Sequence, residues 1–315
     1  VLDYELKLQR AAKHLKDLDR DAAAWLGAGH YTVRYEVDLD AKWDGPIPPG
    51  THGVPEGTGV YYLAGAVYLF GNEGPDLGPE GVELGQNVVT AYASIDEQPP
   101  RDPISVLIGD VLHNMRSALD HLAYALADAY TNPLTEDISS RSEFPIFGDE
   151  DRKGRLGRGA TLFQSGVAKI QGWNPAAKTA VEGLQPYKRG NDFREDPLWA
   201  LQELDRISKH RLLHTGVGGF AGTTWHRDGF HNVRCIGPGL IQSFAGAIET
   251  DTPISRIYGV HPVDPSAEMR VEINPAIDIV LGEETSYAGD PVLRTLSLIQ
   301  AHIVSTVVPT LTPFL

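Results

Sequence analysis

The run PPRDP at 99–103 divides this chain more sharply than any other feature. Proline lacks a backbone donor and holds φ near −65°, so three of them in five residues end whatever structure precedes them. Beyond the run, residues 104–130 contain no proline. Val111, Leu112, Met115, Ala118, Leu119 and Leu122 fall on one side of a helical projection, which predicts a long amphipathic helix. The stretch DPLWALQELDRISKHRLLH (196–214) repeats that texture, with Asp196 as N-cap and Pro197 at the first helical position. Shorter helical patterns lie near 161–171 and 175–185.

The flanks read differently. Residues 3–26 form a helical pattern through Leu8, Ala11, Ala12, Leu15, Leu18, Ala22 and Trp25, with Gly27 as a stop. YTVRYEVDLD (31–40), GVYYLAGAVYLF (59–70) and QNVVTAYASI (86–95) read as strands, joined by Gly/Pro loops at 44–58 and 71–85. Strand-like text resumes after Gly216 in HNVRCIG, GLIQSFAGAIE, ISRIYGV, MRVEI and IDIVLGE. The expected architecture is therefore α+β, a central helical bundle flanked by antiparallel β segments. It is drawn as one domain over 1–315: helix 3–26, β region 30–98, helical core 102–217, β region 218–288 and a C-terminal helix 290–308.

Net charge narrows the partners. Lys and Arg total 27 against 42 Asp and Glu, a formal −15. Such a surface repels phosphate backbones, so nucleic acid and anionic membranes are disfavoured and a small-molecule substrate is favoured. A homo-oligomer is compatible with the composition. The single cysteine, Cys235, excludes an intrachain disulfide and any multi-Cys zinc site, and its strand-like setting suits a small core hydrophobe. The N-terminal text lacks the apolar run of a signal peptide, and the uncharged tail 296–315 is broken by prolines and polar residues. A cytoplasmic protein with a buried terminal helix is expected.

Chemistry concentrates in GDVLHNMRSALDH (109–121). At roughly 100° per residue, Asp110, His113, Ser117 and His121 share one helical face. On the second helix Glu203, Arg206, His210 and His214 do the same. Asp110, Ser117 and His121 stand at i, i+7 and i+11, as do Glu203, His210 and His214. Two histidines one turn apart, and an Asp-x-x-His pair, are spacings that helical metal sites use. The expected ligands are Asp110, His113, His210 and His214, with His121 and Glu203 behind them or on a second ion. Zinc there would activate water for hydrolysis, whereas iron or manganese would suit oxidation of a small substrate. Arg116 or Arg206 would orient a substrate carboxylate or phosphate. Antiparallel helices would bring Asp110 and His113 level with His210 and His214, and parallel ones would join His121 to the histidine pair. A non-catalytic alternative uses the same residues, with His121 prominent, as a polar network tying helices together.

Arg116 to His121 (R-S-A-L-D-H) resembles the R-x4-H pattern of HEPN ribonucleases, with Ser117 where that pattern carries Asn, Asp or His. The resemblance implies Arg116 on a phosphate and His121 as general base toward a ribose 2′-hydroxyl. Across 104–217, the order GDVLHNMRSALDHLAYAL, FPIF, LQPYKRG and PLWALQELDRISKHRLLH resembles a layout of bacterial proteins that brings no activity with it. GVGGFA (216–221) follows a helical pattern instead of preceding one, so it reads as a glycine-rich helix exit and not as a dinucleotide loop. His226, His231 and the basic run QPYKRGNDFR (185–194) read as surface groups.

Overall fold

The computed structural model describes residues 2–42, 61–63, 66–69, 86–149, 158–219, 224–235, 239–243, 246–258, 260–262, 264, 266–267, 270–274 and 277–315. The Gly/Pro loops at 44–58 and 71–85 lie outside them. The fold is α+β, and the chain divides into two compact units. One comprises 1–24, 100–215 and 281–315, and the other 25–99 and 216–280.

The helical unit holds α1 (Asp3–Gly27), α2 (Arg101–Tyr130), α3 (Glu136–Arg141), α4 (Gly159–Gly166), α5 (Pro175–Gly183), α6 (Pro197–Ser208), α7 (Val292–His302) and α8 (Val308–Leu311). In α1, Tyr4, Ala11, Leu18 and Ala22 are buried at four- and seven-residue separations along one stripe. Its sequence-derived bounds were one residue short at the C-terminus. Helix α2 forms the spine: Ile104, Ile108, Val111, Leu112, Met115, Leu119, Leu122 and Leu126 are all buried. Each such side chain contributes about 2 kcal/mol on leaving water. Helix α6 opens as expected, with the Asp196 carboxylate accepting from the Leu198 N–H at 2.9 Å and proline in the first turn. A cis peptide precedes Pro133 in the turn after α2.

Between α3 and α4 the FPIF segment has no regular secondary structure, and Phe144 and Ile146 are buried. Gln185, itself buried, clamps it: Nε2 donates to the Pro145 and Val181 carbonyls, and Oε1 accepts from the Phe147 N–H. Gly148 follows because a Cβ there would stand 2.7 to 2.8 Å from the Phe193 and Trp199 rings. The run 186–195 is wound into 3-10 turns broken at Gly190, where φ is +60°. Lys188 and Arg189 there pair with Glu182 and Asp196.

The expected C-terminal helix is present but differently seated. Val292, Leu296, Ile299, Ile303, Val307 and Leu311 are buried at helical spacing, whereas Leu298, Val304 and Leu315 are exposed. One face packs on α6 and α2, and the helix is not fully buried. Val292–Phe314 is long and apolar enough to cross a membrane by length and composition.

In the second unit, β1 (Tyr31–Lys42), β2 (Tyr61–Leu63), β3 (Ala66–Leu69) and β4 (Gln86–Ile95) precede the helical centre. After it come β5 (Thr215–Gly219), β6 (Thr224–His231), β7 (Val233–Cys235), β8 (Gly239–Ser243), β9 (Gly246–Ala247), β10 (Thr252–Tyr258), β11 (Val260–Pro262), β12 (Arg270–Asn274) and β13 (Ile277–Leu281). Strands from both chain segments share one six-stranded sheet in the order β1-β4-β10-β8-β3-β2. Its β1–β4, β4–β10, β10–β8, β8–β3 and β3–β2 pairs are antiparallel. Strand β4 lies inside that order, and Val89, Ala91 and Ala93 are fully buried at two-residue steps. Residues 216–219 of GVGGFA belong to β5, which pairs with β9 and β13, so the glycines serve a strand and not a helix exit.

Candidate functional site

Helices α2 and α6 cross antiparallel. Gly109 approaches Ser208, whereas Arg116, two turns further along α2, meets Gln202 six residues earlier on α6. The Ser105 hydroxyl, before both, donates to the Leu213 carbonyl. This order answers the question left open by the sequence. It does not gather the expected ligands.

The reason lies at the end of α6. The helix stops at Ser208, whose hydroxyl donates back to the Asp205 carbonyl, and Lys209 and His210 form a turn. Residues 212–214 then run toward β5, with Leu213 buried and its carbonyl taken by Ser105. His210 and His214 therefore do not share a helical face. His210 is exposed in the turn. His214 is exposed, its N–H donates to Glu284 Oε1, and its carbonyl accepts from the Gly282 N–H at 2.9 Å. Its ring Nδ1 stands 3.8 Å from Glu284 Oε2. Gly282 is required by this approach, because a Cβ would lie 2.9 Å from His214 Cβ and 2.6 Å from the Glu284 carboxylate.

The remaining candidates also separate. Asp110 and His113 are exposed on α2, where Asn114 Nδ2 donates to the Asp110 carbonyl. Glu203 is turned toward Ser286, accepting from its hydroxyl at 2.8 and 2.9 Å and from its N–H at 3.2 Å. Arg206 is exposed. His121 is half-exposed, with Nδ1 4.0 Å from the Asp3 carboxylate. Among the described residues no three His, Cys, Asp or Glu side chains are gathered closely enough to hold a metal ion.

Arg116 is the exception, and it points inward. Its side chain is only 6% exposed. Nη2 donates to Asp120 Oδ1 at 3.0 Å, Glu143 Oε1 at 3.1 Å and the Phe144 carbonyl at 2.7 Å, while Nη1 reaches Gln202 Oε1 at 3.3 Å. One guanidinium thus joins α2, α6 and the segment entering FPIF. Asp120 returns the connection by accepting from the Phe144 N–H at 3.0 Å. Burial pushes the Asp120 carboxyl above its ordinary range, against the opposing pull of Arg116. Glu143 passes its second oxygen to Lys169, on the 3-10 turn after α4. Asp120, Ser140, Arg141, Ser142, Glu143 and Lys169 line a cavity of about 460 Å³.

Neither Glu143 nor Lys169 carries a motif, and Asp120 stood in the dense stretch without a role. Their only sequence signal was an arginine placed among Leu112, Met115 and Leu119, a position that demands buried acceptors. The fold and this site define an α+β protein whose helical unit is organised around a buried arginine. No protein-family model, curated protein or solved structure matches the chain.

Proposed function

We propose that this chain is a non-catalytic binding protein whose helical unit is held in shape by a polar network centred on Arg116. The observation that supports the reading is the use of one buried guanidinium by four acceptors on three separate segments. An arginine so engaged, with both neighbouring carboxylates drawn onto it, acts as a tie between elements. In the ribonuclease reading Arg116 meets a phosphate, but here that guanidinium is occupied, and His121 projects away from it toward Asp3. The metal reading drew its strength from His210 and His214 on one helical face, and α6 ends before either.

The test compares Arg116→Met, Arg116→Lys and His121→Ala in the full chain. The network role expects both arginine variants to melt lower and His121→Ala to melt like the parent. RNA cleavage by the parent that disappears in a well-folded Arg116→Lys variant would overturn this reading and restore the nuclease.

A further inference from the structure

Four charged side chains form an alternating series: Asp120, Arg116, Glu143 and Lys169. The contacts are 3.0 Å between Asp120 Oδ1 and Arg116 Nη2, 3.1 Å from that nitrogen to Glu143 Oε1, and 2.5 Å from Glu143 Oε2 to Lys169 Nζ. The two interior members are used on both sides. The two ends are not. Asp120 receives both its hydrogen bonds on Oδ1, which leaves Oδ2 without a donor among the described residues. Lys169 gives one of its three ammonium hydrogens to Glu143 and, among the described residues, none elsewhere.

Asp120 and Lys169 both line the 460 Å³ cavity. Beside them Ser142, also lining it, has a buried hydroxyl with no hydrogen-bond partner among the described residues. Such a hydroxyl is costly unless something binds it. Arg141 lines the same space and is paired through one nitrogen with Asp137 at 2.8 Å. The lining therefore presents an open carboxylate oxygen, cationic donors on Lys169 and Arg141, and a hydroxyl able to give or take a hydrogen bond. A simple anion would leave Asp120 facing it, and a simple cation would leave Lys169 and Arg141 facing it. A ligand carrying both charges satisfies both ends. The volume lies in the range of small-molecule pockets.

We propose that this cavity binds a small zwitterion of amino-acid type, its ammonium on Asp120 Oδ2 and its carboxylate on Lys169 and Arg141. The proposal rests on the binding-protein reading above and supplies its ligand class. Alternation also explains why Glu143 stands between two cations: it fixes Lys169 at one end, as Arg116 fixes Asp120 at the other.

The experiment uses the full chain with a series from glycine through 4-aminobutanoate to 6-aminohexanoate, with acetate and methylammonium as separate halves. Binding is read by ligand-observed NMR and by the shift in melting temperature. At least one member should bind and raise the melting temperature, with neither half doing so. Lys169→Ala and Asp120→Asn should each weaken that binding by about tenfold or more while the protein stays folded, since each loses one charged contact. Binding by no member, binding of acetate alone with equal strength, or undiminished binding by Lys169→Ala would each overturn the zwitterion site. Those results leave the Arg116 network untouched, because that reading is decided by the melting of Arg116→Met and Arg116→Lys and not by any ligand.

Discussion

The Phe147 N–H donates to the Gln185 side-chain oxygen at 3.0 Å, so the FPIF and LQPY runs meet as hydrogen-bonded partners across the helical unit. The Gln185 side-chain Nε2 in turn donates to the Pro145 carbonyl at 2.9 Å and the Val181 carbonyl at 3.0 Å. Gln185→Ala leaves the Phe147 N–H and the Pro145 carbonyl with no partner among the described residues, while the Val181 carbonyl keeps the Leu184 N–H at 3.2 Å, and should cost about 2–4 kcal/mol. Gln185→Glu should be similarly harmful, because a carboxylate offers the carbonyls no donor. Urea unfolding midpoints measure both.

Arg116→Met removes the cation from a buried junction and strands the Phe144 carbonyl. Losing one partner of a buried ion pair costs roughly 3–5 kcal/mol. Asp120 and Glu143 retain 36% and 45% exposure, so water offsets part of this and about 2–3 kcal/mol is expected. Lysine cannot reproduce the fork, so Arg116→Lys should recover less than half of the loss. Thermal and urea melts of the three proteins decide it.

The exposed histidines should behave oppositely. His210→Ala and His113→Ala change side chains held in solvent, so stability should move by less than about 0.5 kcal/mol. Melting in the presence and absence of EDTA, beside elemental analysis of both variants, checks this. A chelator-sensitive melt lost in His210→Ala would revive the metal reading.

His302 gives a pH dependence. Burial holds its imidazole below the ordinary value of 6.5, with Asp196 pulling up and Arg189 pushing down. The unfolded chain then binds the proton more readily than the folded one. Stability should be full above pH 6.5, fall as pH drops from that value toward the depressed folded one, and level off below it. His302→Gln should flatten this part of the curve relative to the parent, as read from urea midpoints at a series of pH values.

Gly282→Ala places a methyl 2.9 Å from His214 Cβ and 3.0 Å from the His214 carbonyl oxygen. The displaced strand segment should cost about 1–3 kcal/mol, the range for inserting a methylene into a packed site. Calorimetric melting gives the value, and Gly27→Ala, with open space around it, serves as the control.

Helix α2 was legible because its apolar residues repeat at helical spacing over eight turns, and α6 announced its start through Asp196 and Pro197. Its end was not legible. KHRLLH contains neither proline nor glycine and keeps apolar residues at a helical interval, so only the distant Ser105 hydroxyl and Glu284 carboxylate show why the backbone leaves the helix. The placing of His210 and His214 on one helical face depended on the helix running on to 214, whereas it ends at Ser208. Arg116 was noticed through its spacing to His121, while its partners Glu143 and Phe144 came from sequence 27 and 28 residues away. Contacts made by unremarkable residues across such separations leave no local pattern.

The helical unit is assembled from three pieces of chain, 1–24, 100–215 and 281–315, with a β excursion between each. During synthesis α2 and α6 emerge well before α7, which later covers part of them. Until then the apolar stripe destined for Val292, Leu296 and Ile299 faces water, and closure waits on the 65-residue excursion 216–280 that separates the last two pieces. Contacts so distant in sequence slow folding and lengthen the time in which sticky surface is open to neighbours. A nascent chain of this design therefore has its greatest need of chaperone cover after α6 has formed, and sheds that need only when the third piece docks.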